Sequence, residues 1–338
     1  MRCLELASNG LGHTATNPLV GCVIVHDGQI VGEGYHRIFG GPHAEVNAIN
    51  SVADKSLLQN ATLYVNLEPC SHWGKTPPCA DLIIENKIPH VVIGTKDIYE
   101  EVNGRGIERL TNEGINVEVG VLEKESVELN KRFFTFNIKK RPYIILKWAQ
   151  TADGFMARED HSSKWISNEY SRLLTHQWRS EETAIMVGTN TALYDNPQLT
   201  SRDMKARNPL RIVLDKELKL PQTHHLFDGE IPTIVFTEKL HESKENLSYV
   251  ELDFGPHNFL NLVLTYLHNI GIQSLIIEGG AKLLQSFIDK DLWDEARVFK
   301  AGKVYFEKGI KTPEIKVQSL QYLKIMDDTL HYYRNVHD

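Results

Sequence analysis

The fold of the first half of this chain is decided by the sequence His43-Ala44-Glu45, followed by Pro69-Cys70 and by Cys79. Imidazole nitrogen and thiolate sulfur are ligands that Zn²⁺ prefers, and three protein ligands leave a fourth position for water. The metal lowers the pKa of that water towards neutrality, so that it can attack a ring carbon. A nearby carboxylate must then carry protons to the departing group. We therefore predict that His43, Cys70 and Cys79 bind zinc and that Glu45 transfers protons.

The spacing of these residues fits the ends of helices and strands. Apolar residues after His43 predict a helix that begins there, and only in a first turn can the histidine and the carboxylate two residues later share a site. The stretch 62–67 predicts a strand that delivers Cys70 just past its end. Pro77-Pro78 predicts the start of a helix with Cys79 in its first turn. The partial positive charge of a helix N-terminus favours thiolate over thiol.

The alternative for these residues is a structural zinc site or a pair of buried cysteines. A closed structural site needs a fourth soft ligand, and the remaining cysteines, Cys3 and Cys22, lie outside the ligand pattern. The order H-x-E, P-C and a second cysteine is typical of zinc-dependent nucleobase deaminases. The pattern therefore favours a catalytic zinc site.

Length and composition set broad limits on function. The chain has 338 residues, which suffices for about two domains, and no apolar stretch approaches the roughly 18 residues of a membrane span. The net charge of −7 argues against broad nucleic-acid binding, which needs a basic face. Four cysteines, two of them assigned to zinc, fit a reducing compartment. We expect a soluble cytoplasmic protein that binds neither nucleic acid nor membrane.

Strand-like and helix-like segments divide the chain into two α/β halves. The first half predicts a three-layer unit with a hairpin turn at Asp27-Gly28 and a last helix over 123–136. The polar run Lys139-Lys140-Arg141-Pro142 is a predicted boundary, which gives domains at 1–138 and 143–338. The apolar runs that predict a buried mixed or parallel sheet in the second half are 143–148, 184–188, 210–215, 233–236 and 274–280.

The second half offers a candidate phosphate site without the G-x-G-x-x-G pattern. Gly279-Gly280 ends a predicted strand and opens the helical run 281–287, and free N–H groups at a helix start bind anions. Two polar clusters, at 151–154 and 189–200, combine charge with turn residues, and a capped turn with solvated charges is the better explanation of each taken alone. The residues by themselves predict only a second ligand-binding α/β domain.

In this order, the motifs closely resemble the family of bifunctional riboflavin-biosynthesis deaminase–reductases over nearly the whole chain. In the first half they are Thr16-Asn17-Pro18-Leu19-Val20-Gly21, Gly34-Tyr35-His36, Gly41-Pro42-His43-Ala44-Glu45, Leu67-Glu68-Pro69-Cys70-Ser71-His72-Trp73-Gly74-Lys75-Thr76-Pro77-Pro78-Cys79 and Gly104-Arg105-Gly106. In the second half they are Leu146-Lys147, Asp153-Gly154, Ser163-Lys164-Trp165-Ile166, Asp195-Asn196-Pro197-Gln198-Leu199-Thr200 and Glu278-Gly279-Gly280. The run from Leu67 to Cys79 is specific, because tRNA and cytidine deaminases typically place their two cysteines closer together.

The resemblance implies a cytidine-deaminase-like α/β domain followed by a dihydrofolate-reductase-like α/β domain. The first would hydrolyse the 2-amino group of a diaminopyrimidinone that carries a 5-phosphoribosylamino substituent. The second would use NADPH to reduce the ribosyl group to ribityl. One Zn²⁺ per chain and NADPH are the implied cofactors, and we also expect a homo-oligomer.

The resemblance also assigns residues to each ligand by position. The implied substrate contacts are Asn17, His36, Ser163, Arg179, Leu199, Arg202 and Glu278. The implied NADPH contacts are Ala149, Trp165, Thr191, Asp195, Gly280, Ala281, Lys282, Leu283, Leu284, Gln285 and Ser286. Lys147 and Asp195 are the expected catalytic residues, because the family places both beside the nicotinamide and the ribose carbon that accepts hydride. Arg179 and Arg202 suit a phosphate, since guanidinium binds phosphate bidentately.

The sequence departs from the family pattern at a few places, none of them a predicted zinc ligand. They are Thr16, Glu100-Glu101 and Thr151-Ala152. Two other functions are weighed against the main one. A nucleic-acid-editing deaminase is disfavoured by the acidic charge and by the long Cys70–Cys79 spacing. A non-catalytic zinc scaffold is disfavoured by Glu45, which has no ligand role.

Overall fold

The chain is divided into two compact units, Met1–Lys140 and Arg141–Asp338. The computed structural model describes residues 1–73, 77–99, 102–160, 162, 165–202, 204, 206–255 and 258–336. The division falls inside the predicted polar boundary run. None of the described helices is long and apolar enough to cross a membrane. That each unit is an independent domain stays a prediction.

The first unit is a layered α/β structure. Its described strands are β1 (Gly21–His26), β2 (Gln29–Tyr35), β3 (Thr62–Leu67), β4 (His90–Thr95) and β5 (Asn116–Val119). Its described helices are α1 (Arg2–Ser8), α2 (Ala44–Ser51), α3 (Cys79–Glu85), α4 (Arg105–Asn112), α5 (Glu123–Leu129) and α6 (Lys131–Lys139), with a 3₁₀ helix at Lys55–Asn60. The sheet order is β2-β1-β3-β4-β5. Strand β1 is antiparallel to both neighbours, and β3, β4 and β5 run parallel.

Alternation along β1 places its side chains on two faces of this sheet. Cys22 and Ile24 are fully buried in a core that includes residues of α2, α3 and α4. On the opposite face, a Cβ at Gly21 would lie 2.0 Å from the carbonyl oxygen of Cys3 in α1. Helices therefore cover both faces, as the three-layer prediction requires.

Helix α2 packs directly on the backbone of β2. A Cβ at Gly34 would lie 2.4 Å from the amide nitrogen of Ala48 and 2.6 Å from the carbonyl oxygen of Ala44. Only a residue without a side chain allows this approach. The contact fixes the first turn of α2, which begins at the predicted position after His43.

The predicted helix over 123–136 is wrong as a single element. The chain breaks at Asn130 into α5 and α6, with φ −96° and ψ 16° at that residue. The Asn130 side chain accepts the N–H of Leu19 at 2.7 Å and donates to the carbonyl oxygen of Leu19 at 2.9 Å. This partner lies 111 residues away along the chain, so the local apolar pattern carried no sign of the break.

The second unit contains a mixed sheet of nine described strands. The described strands of the unit are β6 (Tyr143–Gln150), β7 (Phe155–Ala157), β8 (Ala184–Gly188), β9 (Leu210–Leu214), β10 (Thr233–Thr237), β11 (Leu247–Glu251), β12 (Ser274–Ile277), β13 (Glu295–Ala301), β14 (Ile310–Lys311), β15 (Gln321–Ile325) and β16 (Asp328–Arg334). The described helices are α7 (Glu169–Glu181), α8 (Thr189–Asp195), α9 (Phe259–Asn269) and α10 (Ala281–Asp289), with a 3₁₀ helix at His225–Phe227. The sheet order is β11-β10-β9-β8-β12-β6-β13-β16-β15, while β7 and β14 form a separate pair.

Both faces of this large sheet are buried. Ile144 and Leu146 of β6 belong to a core cluster that includes residues of α9 and α10. Tyr143 and Ile145 belong to a second cluster that includes residues of α7 and α8. The strands from β11 to β13 in the sheet order run parallel, whereas β16 pairs antiparallel with both of its neighbours, β13 and β15. The predicted buried mixed sheet is confirmed.

Parallel strands bring their carboxyl ends to one edge of the sheet. Strand β12 lies between β8 and β6, although it follows both along the chain. The segments that leave β6, β8, β9 and β12 therefore meet at the same edge. This is the usual position of a ligand cleft in an open α/β sheet.

Candidate metal centre and binding cleft

The three predicted zinc ligands converge in the first unit. His43 is the N-cap residue of α2, Cys70 follows β3, and Cys79 is the first residue of α3. Nδ1 of His43 lies 3.6 Å from Sγ of Cys70 and 3.3 Å from Sγ of Cys79. The ligand atoms of all three residues lie within 4.8 Å of one another. One nitrogen and two sulfurs at this spacing suit a tetrahedral Zn²⁺ site with an open position.

The charges of these side chains also fit a divalent cation. A hydrogen bond with Cys79, assisted by His43, lowers the pKa of the Cys70 thiol to about 4. The same hydrogen bond and burial raise the pKa of Cys79, and Cys70 raises the pKa of His43 to about 8. By themselves these groups hold one thiolate beside a thiol. A divalent cation would stabilise both sulfurs as thiolates, so the donor set fits zinc.

Glu45 lies in the first turn of α2, beside this cluster. Its residue is only 3 % exposed, and burial raises the pKa of its carboxyl group to about 7 against the opposing effect of His43. Its carboxyl group forms a hydrogen bond with the Cys79 side chain. The predicted start of the helix at His43 is confirmed, and it places the carboxylate next to the ligand set.

Two residues assigned to the substrate by resemblance border the metal ligands. Nδ1 of His36 lies 3.1 Å from the carbonyl oxygen of Pro42 and therefore carries the proton that it donates. Nε2 of His36 then accepts from the side-chain amide of Asn17 at 3.0 Å. The rings of His36 and His43 meet edge to face at 5.6 Å. The structure thus brings Asn17, His36 and the predicted zinc ligands together.

We predict that Cys79→Ser removes zinc from the protein. A hydroxyl group is a poor substitute for a thiolate ligand. Because loss of a mere hydrogen-bond partner of a ligand weakens metal binding about 10–100-fold, loss of a ligand should weaken it by more than about 100-fold. Zinc per chain, measured by mass spectrometry after dialysis, should fall close to zero, and the melting temperature of the first unit should fall with it.

Cys3→Ser provides the matched control. Its Sγ contacts the carbonyl oxygen of Tyr64 and takes no part in the ligand cluster. This variant should keep its zinc. A Cys79→Ser protein with the normal zinc content would refute the ligand assignment.

The second unit contains a cleft of about 1310 Å³ at the carboxyl ends of β6, β8, β9 and β12. The residues assigned by resemblance that line it are Lys147, Ala149, Trp165, Arg179, Thr191, Asp195, Leu199, Arg202, Glu278, Gly280, Ala281, Lys282 and Leu283. Ser163 lies outside the described residues, as does Glu100-Glu101 of the first unit. Side chains separated by more than 130 residues thus surround one space.

Three further residues assigned to NADPH have other surroundings. Leu284 is fully buried in the core below α10. The Gln285 side chain donates to Asp289 and accepts the N–H of Glu314. The Ser286 hydroxyl donates to the carbonyl oxygen of Leu283. Their assignment to the cofactor stays a prediction from the resemblance.

A buried group of charges lies in this cleft, where Glu278 directly follows β12 and Lys147 lies within β6. The Glu278 side chain, 9 % exposed, accepts from Nε and Nη2 of Arg179 at 2.9 and 2.8 Å, and from Nζ of Lys147 at 3.5 Å. Burial alone would raise the pKa of Glu278, but Arg179 and Lys147 together hold it at about 2. Burial lowers the pKa of Lys147. Arg179 also donates from Nη1 to the carbonyl oxygen of Thr200, so each of its three guanidinium nitrogens has a partner within the protein.

The turn from β12 to α10 fits the phosphates of a dinucleotide. Helix α10 begins after Gly280, and the described residues provide no side-chain cap for its N–H groups. A Cβ at Gly280 would lie 3.1 Å from Oγ1 of Thr191, and one at Gly279 would lie 3.3 Å from it. Side chains at these positions would crowd this part of the cleft, whereas glycine leaves the backbone open to an anion. These residues therefore fit the pyrophosphate of NADPH.

Sequence reasoning missed several residues that line the cleft, among them His176, Lys216, Phe254 and Phe259. Lys216 follows β9 and pairs with Glu238 at 3.1 Å; its position just after a predicted parallel strand was a usable signal. Phe254 and Phe259 stack at 4.4 Å. Nδ1 of His176 lies 3.0 Å from the carbonyl oxygen of Thr200. Nothing in the local pattern distinguished these three from core residues.

The turn at 151–154 has a structural explanation. The Asp153 carboxylate accepts the N–H groups of Phe306 and Glu307, the latter at 2.8 Å. The Thr151 hydroxyl accepts the N–H of Phe155 at 2.9 Å. These bonds join the turn to a distant loop, so the capped-turn explanation given for this cluster is sufficient.

Both units of this chain match known protein families. Residues 1–95 match the family described as the cytidine and deoxycytidylate deaminase zinc-binding region, and residues 142–316 match the RibD C-terminal domain. The riboflavin biosynthesis protein RibD of Aquifex aeolicus is 44 % identical over 322 residues, covering 94 % of this chain and 90 % of that protein. RibD of Escherichia coli is 36 % identical, covering 90 % and 86 %.

Solved structures show the same likeness over both units. A diaminohydroxyphosphoribosylaminopyrimidine deaminase/5-amino-6-(5-phosphoribosylamino)uracil reductase from Thermotoga maritima superposes with a TM-score of 0.91 at 39 % identity, covering 99 % of this chain and 97 % of that one. Acinetobacter baumannii RibD gives a TM-score of 0.88 at 31 % identity, with the same coverage. The predicted fold classes are confirmed: a cytidine-deaminase-like unit precedes a dihydrofolate-reductase-like unit. The chain belongs to the RibD family of riboflavin biosynthesis, whose members combine a zinc-dependent deaminase with an NADPH-dependent reductase.

Proposed function

We propose that this chain catalyses two successive steps on one phosphorylated pyrimidine. The first unit hydrolyses the 2-amino group of 2,5-diamino-6-(5-phosphoribosylamino)pyrimidin-4-one. The second reduces the ribosyl group of the product to ribityl. The observation that carries the deaminase assignment is the convergence of His43, Cys70 and Cys79 beside the buried carboxyl group of Glu45.

In the deaminase site, His43, Cys70 and Cys79 hold the metal. Zinc, when bound there, supplies the Lewis acidity that makes water nucleophilic near neutral pH. Glu45 removes a proton from the attacking water and delivers it to the departing amino group, which leaves as ammonia. The paired side chains of Asn17 and His36 lie beside the ligands, where they orient the pyrimidine ring.

In the reductase site, the cleft at the sheet edge holds cofactor and substrate together. NADPH, when bound, supplies the hydride. The turn at Gly279-Gly280 would hold its pyrophosphate, and Asp195, which ends α8 and lines the cleft, would contact its nicotinamide, as the resemblance implies. Lys147 holds a proton at its Nζ beside the ribose, oriented by Glu278. Arg202 is exposed on the lining and is better placed than Arg179 to bind the substrate phosphate.

We propose that the chain binds neither nucleic acid nor membrane. The net charge of −7 supports a small phosphorylated substrate rather than a nucleic acid, since nucleic-acid binding needs a basic face. We further propose a homo-oligomer in the cytoplasm. Light scattering and cell fractionation would test these two statements.

The proposal as a whole is tested by product mass. The protein should convert the diaminopyrimidinone phosphate to a product one mass unit heavier, as an amino group is replaced by oxygen. Adding NADPH should shift that product by two further mass units. Deamination without reduction would mean that the second activity was lost. Thr151-Ala152, which departs from the family pattern next to Asp153-Gly154 in the second unit, would then be the first place to examine. Binding of tRNA or single-stranded DNA at physiological salt would favour an editing enzyme instead.

We predict that residues 141–338 alone bind NADPH and reduce the deaminated intermediate. The segment has its own sheet and two core clusters, and Arg141 belongs with it because it pairs with Asp294 at 2.6 Å. The dissociation constant for NADPH, followed by its fluorescence, should be unchanged by a zinc chelator, whereas deamination by the full chain should stop. A segment that folds cooperatively without NADPH affinity would refute the reductase assignment, and one that cannot fold would refute domain independence.

A further inference from the structure

A buried carboxylate next to the zinc ligands has no part in the chemistry described above. Glu68 follows β3, two residues before Cys70, and is only 4 % exposed. Its Oε2 accepts the backbone N–H groups of Asp97 at 3.2 Å and Gly104 at 3.0 Å. Its Oε1 accepts those of Gly106 at 3.0 Å and Ile107 at 3.3 Å. One side chain thus satisfies four backbone donors between β4 and the first turn of α4.

Burying a carboxylate is costly unless its oxygens are hydrogen-bonded. Charge-assisted bonds to backbone N–H groups are roughly twice as strong as neutral ones. The four bonds therefore both stabilise the charge of Glu68 and fix the loop that supplies them. Without the four N–H groups the buried carboxylate would lack hydrogen-bond donors, and without the carboxylate these N–H groups would lack an acceptor.

The loop held in this way borders the ligand turn directly. A Cβ at Gly106 would lie 2.0 Å from the carbonyl oxygen of Pro69, so the backbone at Gly106 packs against the residue before Cys70. The ring of Tyr99 lies 6.2 Å from that of His72, two residues beyond the same ligand. The carbonyl oxygen of Tyr99 accepts the N–H groups of Val102 at 2.8 Å and Asn103 at 3.0 Å.

We propose that Glu68 is a positioning residue of the deaminase site: it holds the backbone at Asp97, Gly104, Gly106 and Ile107 in place beside Cys70, where this backbone supports the bound substrate. This inference rests on the proposed deaminase function. Glu68 touches neither metal nor substrate: it acts through the loop backbone. Its loss therefore weakens substrate binding while zinc and Glu45 stay in place.

The test compares Glu68→Gln with the wild-type protein in the full chain. The amide has nearly the same shape, but it turns one acceptor atom into a donor that faces backbone N–H groups. We expect one zinc per chain, a deamination KM raised about 10–100-fold, as for the loss of one charge-assisted hydrogen bond, and a smaller change in kcat. Amide hydrogen exchange should accelerate at residues 104, 106 and 107 while β3 and β4 stay protected. Reductase activity should not change.

Glu108→Gln is the matched control, because Glu108 lies in the same helix α4 and is exposed. It should leave KM, zinc content and exchange as in the wild type. An unchanged KM in Glu68→Gln, or a loss that is confined to kcat, overturns the proposal; so does the loss of zinc, which would place the action of Glu68 on the ligand turn. If Glu68→Gln does not fold, Glu68→Asp, which keeps the charge but shortens its reach, must show the same rise in KM or the proposal fails. A wild-type chain without deamination would refute the proposed function separately, and the exchange comparison would then decide the inference.

Discussion

Glu45→Gln is expected to keep one zinc ion per chain and to lose deamination by about 10²–10⁴-fold, the usual contribution of a general acid–base group. The amide preserves the shape and burial of Glu45 at the start of α2, so the ligand cluster should survive. It cannot exchange a proton with water and the leaving ammonia. The loss should appear in kcat, because an interaction made only in the transition state affects turnover rather than binding.

Ammonia release and zinc content measured on the same sample will distinguish this role from ligation. Glu85→Gln changes an exposed glutamate at the end of α3 and should retain full activity. Loss of zinc from Glu45→Gln would make Glu45 a ligand or a support for one. Near-normal ammonia release would remove it from the mechanism.

Glu278→Gln is expected to destabilise the second unit by about 3–5 kcal/mol, the usual cost of leaving a buried charge without its partner. The substitution leaves Arg179 and Lys147 together without a carboxylate, and their side chains are only 11 % and 14 % exposed. For a unit of this size, the melting temperature should fall by roughly 10 °C. Reductase turnover should fall as well, because Glu278 no longer opposes the lowering of the Lys147 pKa by burial.

The pH dependence of this effect has a definite sign. The pKa of Glu278 is lowered from 4.5 to about 2 in the folded protein. A lowered carboxyl pKa contributes stability that is fully present above the unfolded value and is lost as the pH falls through the folded one. Wild-type stability should therefore decline between about pH 4.5 and 2, and the Glu278→Gln protein should lack this part of the decline.

Thermal unfolding monitored at several pH values will test the effect of Glu278. Glu245→Gln, at an exposed position in the same unit, should melt as the wild type does. A Glu278→Gln protein of unchanged stability would mean that Arg179 and Lys147 find water or other partners in the cleft. The interpretation of the three residues as one charge group would then be wrong.

The sequence by itself determined that the three predicted zinc ligands would lie together. A helix that begins after His43, a strand that ends before Cys70 and a helix that begins at Cys79 are all local features. The spacing of apolar residues and the position of proline predict such ends. The predicted ends of these elements were therefore sufficient to predict that the three side chains cluster. The buried strands of the second unit were predictable for the same reason, since a run of apolar residues reports a strand covered on both faces.

Only the tertiary structure decided which polar groups meet. Glu278 pairs with Arg179 over 99 residues and with Lys147 over 131, and Asn130 breaks a helix by bonding to Leu19. Glu68 stands in the sequence only as a residue of the Leu67-Glu68-Pro69-Cys70 motif. In the structure its carboxylate accepts four backbone N–H groups, from residues up to 39 positions away. A buried charge without a hydrogen-bonded or oppositely charged partner destabilises the folded protein, because its desolvation is not compensated. The choice of partner depends on how the strands are ordered in space, which local periodicity does not record.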